Sequence, residues 1–265
     1  MLAARPKSSF IITNMPDRKR PLKVIRADSE AQLVNGLADL LQHCSQGALA
    51  RQDRFSVGLS GGSLVQLLTK ALKQRAGDLN TAKWTFFFCD ERYVPQDDSD
   101  STYGAYKTEW LTQLPGIRDS QFVTANTAKS LDECAADYEA KVKDRVNCDC
   151  GLPQFDLLLL GMGPDGHTCS LFPEQPATLQ ETQRLVIPIR NSPKPPPERI
   201  TFTLPLINNA RDVAFVVTGA GKASVVKRVF VDLDKEFPAA WVNPDQGQLT
   251  LIVDAGAGKE IEALK

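Results

Sequence analysis

The run Arg54-Phe55-Ser56-Val57-Gly58-Leu59-Ser60-Gly61-Gly62-Ser63, continued by Leu64-Val65-Gln66-Leu67-Leu68-Thr69-Lys70-Ala71-Leu72, changes its hydrophobic period midway. Arg54 to Leu59 reads as a strand and Ser60 to Ser63 as a glycine turn. Leu64, Val65, Leu67, Leu68, Ala71 and Leu72 then share one helical face. The same order recurs downstream. Trp84 to Cys89 is followed by Asp90-Glu91-Arg92-Tyr93, and Phe155 to Leu160 by Gly161-Met162-Gly163-Pro164-Asp165-Gly166-His167. Val213 to Val217 leads through Thr218-Gly219-Ala220-Gly221 into a helix near Lys222. Upstream, Pro21 to Arg26 reads as a first strand. Asp28-Ser29-Glu30 then opens a helix whose apolar stripe is Leu33, Val34, Leu37, Leu40, Leu41 and Cys44. Continuous apolar strands alternating with helices predict an α/β fold, a mostly parallel sheet with helices on both faces. In such sheets ligands gather at the carboxyl ends of the strands, where all four polar motifs fall.

The chain has 265 residues, enough for a large core, so peptide hormones, knottins and short adaptors are excluded. One domain over 1–265 is expected, with room for a minor lobe and with residues 1–20 as a loosely ordered extension. There is no solenoid repeat, and Ser192-Pro193-Lys194-Pro195-Pro196-Pro197 reads as a stiff surface connection. Lys+Arg 31 against Asp+Glu 32 gives a net charge of -1, which disfavours a nucleic-acid binder. No run approaches the roughly 20 apolar residues of a membrane helix. The start MLAARPKSSF lacks a signal-peptide h-region, and Ala263-Leu264-Lys265 differs from the Ser-Lys-Leu peroxisomal address. The expected compartment is the cytoplasm, with import into a peroxisome-like organelle left open. The six cysteines lack a disulfide framework and read as reduced thiols. Cys148 and Cys150 have no Cys-x-x-Cys or histidine partner, so no metal site is expected.

Three motifs compete for the chemistry. Gly58-Leu59-Ser60-Gly61-Gly62 fits the G-x-S-x-G nucleophile elbow, but no histidine follows His167 to complete a triad far downstream. The favoured reading of Ser60, Gly61, Gly62 and Ser63 is a phosphate cradle: glycines admit an anion close to the backbone, and a helix N-terminus and two hydroxyls supply donors. Serine nucleophile stays as an alternative. Gly161-x-Gly163-x-x-Gly166 matches a dinucleotide fingerprint, yet Pro173 stops any following helix after about one turn. Nucleotide binding is therefore disfavoured, and the loop instead joins Asp165 to His167, with Gly163 beside them as a candidate substrate-binding residue.

His43 and His167 are the only histidines. His43 sits beside the apolar stripe of its helix and reads as structural. His167, in a glycine-rich loop at a strand end, reads as a general base oriented by Asp165. Between Arg184 and Phe230 eight basic residues face two acidic ones, a local +6 beneath the overall balance. Most of these should face water, but Lys222 opens a helix, where its ammonium and the helix N-terminus converge on one anion. Arg92 and, more weakly, Arg190 join it as candidate phosphate ligands.

Ser60-Gly61-Gly62-Ser63, Asp90-Glu91-Arg92-Tyr93-Val94-Pro95, Gly161 to Thr168 with Ser170-Leu171-Phe172-Pro173, and Thr218-Gly219 with Lys222 together resemble the 6-phosphogluconolactonase family, over about residues 22 to 255. The resemblance implies a sugar-phosphate isomerase/deaminase-like fold and hydrolysis of a phosphorylated sugar lactone in the oxidative pentose phosphate pathway, without an obligatory metal or organic cofactor. The related glucosamine-6-phosphate deaminases share the Asp-Gly-His loop but follow it with an Asn-Glu-Pro run. Here Ser170-Leu171-Phe172-Pro173 stands in its place and lacks that carboxylate, which disfavours aldose-ketose chemistry. A deaminase-like isomerase remains the second alternative.

Overall fold

The computed structural model describes residues 10–13, 18, 20–149 and 151–261. Period-two alternation builds its centre. In β3 (Phe55–Leu59), β4 (Trp84–Phe88) and β8 (Leu157–Leu160) successive side chains go to opposite faces of one sheet. Phe55, Val57, Leu59, Phe86, Leu157 and Leu159 enter one core, whereas Phe87, Leu158 and Leu160 enter the other. These strands are buried on both faces, which is why they read as continuous apolar runs rather than alternating ones.

Along the chain, β1 (Phe10–Thr13) and β2 (Leu22–Ala27) precede α1 (Glu30–Arg51), and α2 (Leu64–Gln74) follows β3. After β4 come the short β5 (Asp90–Arg92), α3 (Thr102–Gln113) and α4 (Leu131–Arg145). A small hairpin, β6 (Cys148–Asp149) with β7 (Leu152–Pro153), leads into β8. Then follow β9 (Val186–Ile189), β10 (Arg199–Phe202), α5 (Leu204–Asn208), β11 (Asp212–Val217), α6 (Ala223–Phe230) and β12 (Gln248–Asp254). The main sheet has the order β1-β2-β12-β11-β8-β3-β4, parallel throughout except for β1. Buried side chains of α1, α2 and α3 cover one face and those of α4 and α6 the other.

Ser29 caps α1 by accepting from the Gln32 amide at 3.3 Å, as the Asp28-Ser29-Glu30 signal predicts. The extension departs from expectation in one place. Phe10–Thr13 pairs antiparallel with β2 instead of staying loose, because β2 would otherwise be an unpaired edge. Residues 1–9, 14–17 and 19 of that extension, and Cys150, lie outside the described residues. A second sheet, β5-β10-β9, is antiparallel and leaves the carboxyl end of β4 through Cys89. Among the described residues no helix is long and apolar enough to cross a membrane.

Strand order fixes where a ligand can bind. From β3 the chain moves outward to β4, and from β8 it moves the other way, to β11. The loops after β3 and β8 therefore part at their carboxyl ends and leave a crevice at the topological switch point.

Candidate active site

That crevice is a pocket of about 230 Å³. Its walls include Ser60, Gly61, Gly62 and Ser63 from the loop after β3, Gly163 and His167 from the loop after β8, Arg92 from β5, and Lys222 from the turn before α6. Eight of the predicted site residues thus converge from four chain segments.

Gly62 takes φ +72°, a left-handed conformation that glycine adopts without steric cost, and this turn starts α2 at Leu64. Ser63 makes no capping bond with its own helix, so its hydroxyl is not consumed there. Ser60 is 5% exposed and its Oγ has no hydrogen-bond partner, while its carbonyl accepts from Tyr106 at 2.8 Å. Arg92 Nε and Thr102 Oγ1 are also buried without partners. A buried unpaired donor costs about 1–3 kcal/mol, which an anion in the cradle would offset. Arg92 does not pair with Glu91: the Glu91 carboxylate accepts from the amides of Arg92, Thr102 and Tyr103 at 2.7–2.8 Å and closes the start of α3. The Arg92 guanidinium donates to the Asp100 carbonyl at 2.8 Å.

The loop after β8 is a tight turn closed by the Gly166 amide on the Gly163 carbonyl and the Gly163 amide on the His167 carbonyl, both at 3.0 Å. It places Asp165 Oδ1 2.5 Å from His167 Nδ1. The imidazole lies against Phe172, ring centroids 4.8 Å apart. Burial lowers the affinity of His167 for a proton, and the repulsion of Lys194 adds to that; together they outweigh the pull of Asp165, so its pKa falls below the ordinary histidine value. Partial burial works against charge on Asp165, but hydrogen bonds from Lys194 and His167 overcome it and hold the carboxyl at about 2. Burial, with Lys194 nearby, also brings Lys222 below the usual lysine range. Asp165 is not part of the pocket wall; it stands behind His167 and lines the neighbouring groove beside Pro173 and Phe237.

Two expectations change. Arg190 does not join the site: its guanidinium pairs with Asp132 at 2.5 Å, and it is absent from the pocket wall. The Ser192–Pro197 segment is more than a surface connection, because its Lys194 reaches Asp165 Oδ2 at 2.8 Å and comes within 3.0 Å of His167 Nδ1. For the serine-nucleophile alternative, Ser60 Oγ has no hydrogen-bond partner, so the elbow lacks the bond to a base that would activate it. Residues that the sequence leaves unassigned also enter the wall. Asp90 accepts from Ser170 Oγ at 2.7 Å, and Arg199, 4% exposed, lies across Phe172 at 5.7 Å from its centroid. The available signal was a lone lysine in a proline run and an arginine opening an apolar strand, both ambiguous without their partners. Cys169, also in the wall, is a buried free thiol at φ 51°, pushed well above the usual thiol range by its contact with Cys89 and by burial. It therefore cannot supply a thiolate nucleophile at neutral pH. His43 is exposed on α1, away from the pocket. Among the described residues no group of His, Cys, Asp and Glu is placed to hold a metal.

Fold and site define a doubly wound α/β protein in which a crevice lined by Arg92, Arg199 and Lys222 adjoins a carboxylate-held imidazole. The sequence profile of glucosamine-6-phosphate isomerases/6-phosphogluconolactonase matches residues 28–251, and the chain belongs to this family. A probable 6-phosphogluconolactonase of Drosophila melanogaster is 78% identical over 251 residues, covering 95% of this chain and 100% of that protein. The 6-phosphogluconolactonase of Homo sapiens is 48% identical over 239 residues, covering 87% of this chain and 90% of its own. The crystal structure of 6-phosphogluconolactonase from Leishmania guyanensis superposes with a TM-score of 0.77 at 25% identity, over 90% of this chain and 98% of that one.

Proposed function

We propose that the protein hydrolyses 6-phospho-D-glucono-1,5-lactone to 6-phospho-D-gluconate in the oxidative pentose phosphate pathway, using a water activated by His167. The observation that carries this reading is the 2.5 Å contact of Asp165 with His167 Nδ1 at the edge of a basic pocket. With Nδ1 engaged, Nε2 is the nitrogen left to take a proton. The 6-phosphate rests on the Ser60–Ser63 cradle and on Lys222, which fixes the lactone carbon relative to the base.

Water adds its oxygen to the carbonyl carbon as its proton passes to Nε2. The resulting oxyanion takes donors from the loop amides or Arg92. When the bond from that carbon to the ring oxygen breaks, the proton on Nε2 goes to the ring oxygen and His167 returns to its neutral form. The alternative isomerase chemistry lacks its extra carboxylate: Leu171 and Phe172 are fully buried, and Phe172 lies on the imidazole.

The test generates the lactone in situ and follows its loss above the spontaneous rate. Fructose 6-phosphate with ammonia, and a simple carboxylic ester, serve as controls. Enzyme-dependent loss of the lactone alone is expected. Turnover of the ester with a trappable acyl-Ser60 would replace this reading with the esterase one, and ligand binding with no lactone loss would leave a phosphosugar-binding protein.

A further inference from the structure

We infer that Lys194 is a positioning residue for His167: clamped in place by Arg199, it pins Asp165 onto Nδ1 and so leaves Nε2 as the basic nitrogen. Its use in catalysis rests on the hydrolytic reading above, whereas its structural content does not.

The backbone of Lys194 is fixed from several directions. The Ser192 amide donates to the Pro197 carbonyl at 2.9 Å, closing the segment into a strap. Ser192 Oγ donates to the Lys194 carbonyl and accepts from the Lys194 amide. Arg199, the first residue of β10, donates to the carbonyls of Lys194, Pro195 and Pro196 at 2.9–3.1 Å. A guanidinium presents its donors in a rigid fork, so one buried side chain holds three successive carbonyls in register. This explains why a proline-rich run on the surface ends with a buried arginine.

Proton bookkeeping then assigns the contacts around His167. Asp165 is ionised and can only accept, so the proton in the 2.5 Å contact belongs to Nδ1. Lys194 can only donate. It therefore bonds Asp165 Oδ2, and its 3.0 Å approach to Nδ1 is a contact between charge and ring rather than a hydrogen bond. With both carboxylate oxygens held, the Asp165 plane cannot rotate away from the imidazole. Charge acts in the same sense. Asp165 and Asp90 favour the imidazolium, which is a spent base, while Lys194 opposes it. Arg92, Arg199 and Lys222 stand in the same pocket wall.

Because the chain has two histidines, imidazole NMR resolves the titration of His167 with His43 as internal reference. In the wild-type protein the Nδ1–H tautomer is expected at high pH. Lys194→Met removes the charge that opposes the imidazolium and should raise the His167 pKa, with His43 unmoved. Lys194→Arg, which keeps the charge, should stay near the wild-type value. The acid limb of kcat/KM for the lactone should move upward with the methionine variant by the same amount. Lys194→Gln provides the same readout should the methionine variant fail to fold. An Nε2–H tautomer in the wild type, or a His167 pKa that does not rise when the charge is removed, overturns the inference. Failure of the wild type to hydrolyse the lactone would instead defeat the hydrolytic reading, with the titration still deciding the role of Lys194.

Discussion

The two ring nitrogens of His167 stand in different surroundings. Nδ1 is engaged by Asp165, and in the proposed mechanism Nε2 carries the proton that moves to and from substrate. His167→Gln should lower kcat by about 10²–10⁴ with KM changed only a few-fold, since the phosphate cradle is untouched. Lys222→Ala should do the reverse: loss of a charge-assisted hydrogen bond of about 1.5–3 kcal/mol raises KM by about 10- to 100-fold and spares kcat. Steady-state kinetics with the spontaneous rate subtracted separates the two, and an unchanged KM removes Lys222 from the phosphate site. The pH dependence has a definite sign. The base is active when unprotonated, and burial places its pKa below the ordinary 6.5, so kcat/KM should rise through a midpoint below that value and level off above it.

At the scale of elements, the turn after β8 shows why glycine stands where it does. A Cβ on Gly163 would lie 2.1 Å from His167 Nδ1 and 2.3 Å from Asp165 Oδ1. The acid and imidazole thus fold back onto a bare backbone, and the dinucleotide-like spacing has a packing cause. Gly163→Ala should displace the pair, and a misplacement of about 1 Å costs about 10²-fold in rate. Kinetics and denaturant unfolding together check this, with activity expected to fall far more than stability; retained activity would show that the loop can shift without cost. At the opposite ends of these strands Asp156 plays a structural part, receiving the amide and hydroxyl of Ser56 at 2.9 Å and tying β8 to β3. The two ends of one strand pair therefore differ: a buried carboxylate anchors the amino end, and the candidate site opens at the carboxyl end.

For the whole molecule, a net charge of -1 coexists with a pocket whose wall carries Arg92, Arg199 and Lys222 against Asp90. A small phosphorylated ligand needs only this local excess. Binding to the folded state alone should stabilise it by about 2.7 kcal/mol at 100 times Kd, which corresponds to a rise of about 5–10 °C in Tm. 6-Phosphogluconate should produce this shift in a thermal scan, whereas gluconate without the phosphate should not. Equal shifts from both would show that the cradle does not recognise the phosphate. Raised salt should reduce the effect, because much of the attraction acts between charges in a half-open crevice.

Local physics made part of this protein legible from its sequence. The apolar runs ending at Leu59, Phe88, Leu160 and Val217 announce parallel strands because both faces of a doubly covered sheet must be apolar. Gly62 and Gly166 mark turns because their positive φ is costly for other residues. Asp165 and His167, two residues apart on one loop, read as a pair for the same local reason. Lys194 and Arg190 lie in the same basic stretch and look alike in sequence, yet one reaches the imidazole across 27 residues and the other turns to Asp132. That difference is set by the strap and by Arg199, which β10 holds in place through its pairing with β5 and β9. Sequence determined the strands, the turns and the pairing of Asp165 with His167; only the tertiary structure decided which cations surround that pair, because that choice depends on how segments distant in the chain pair and pack.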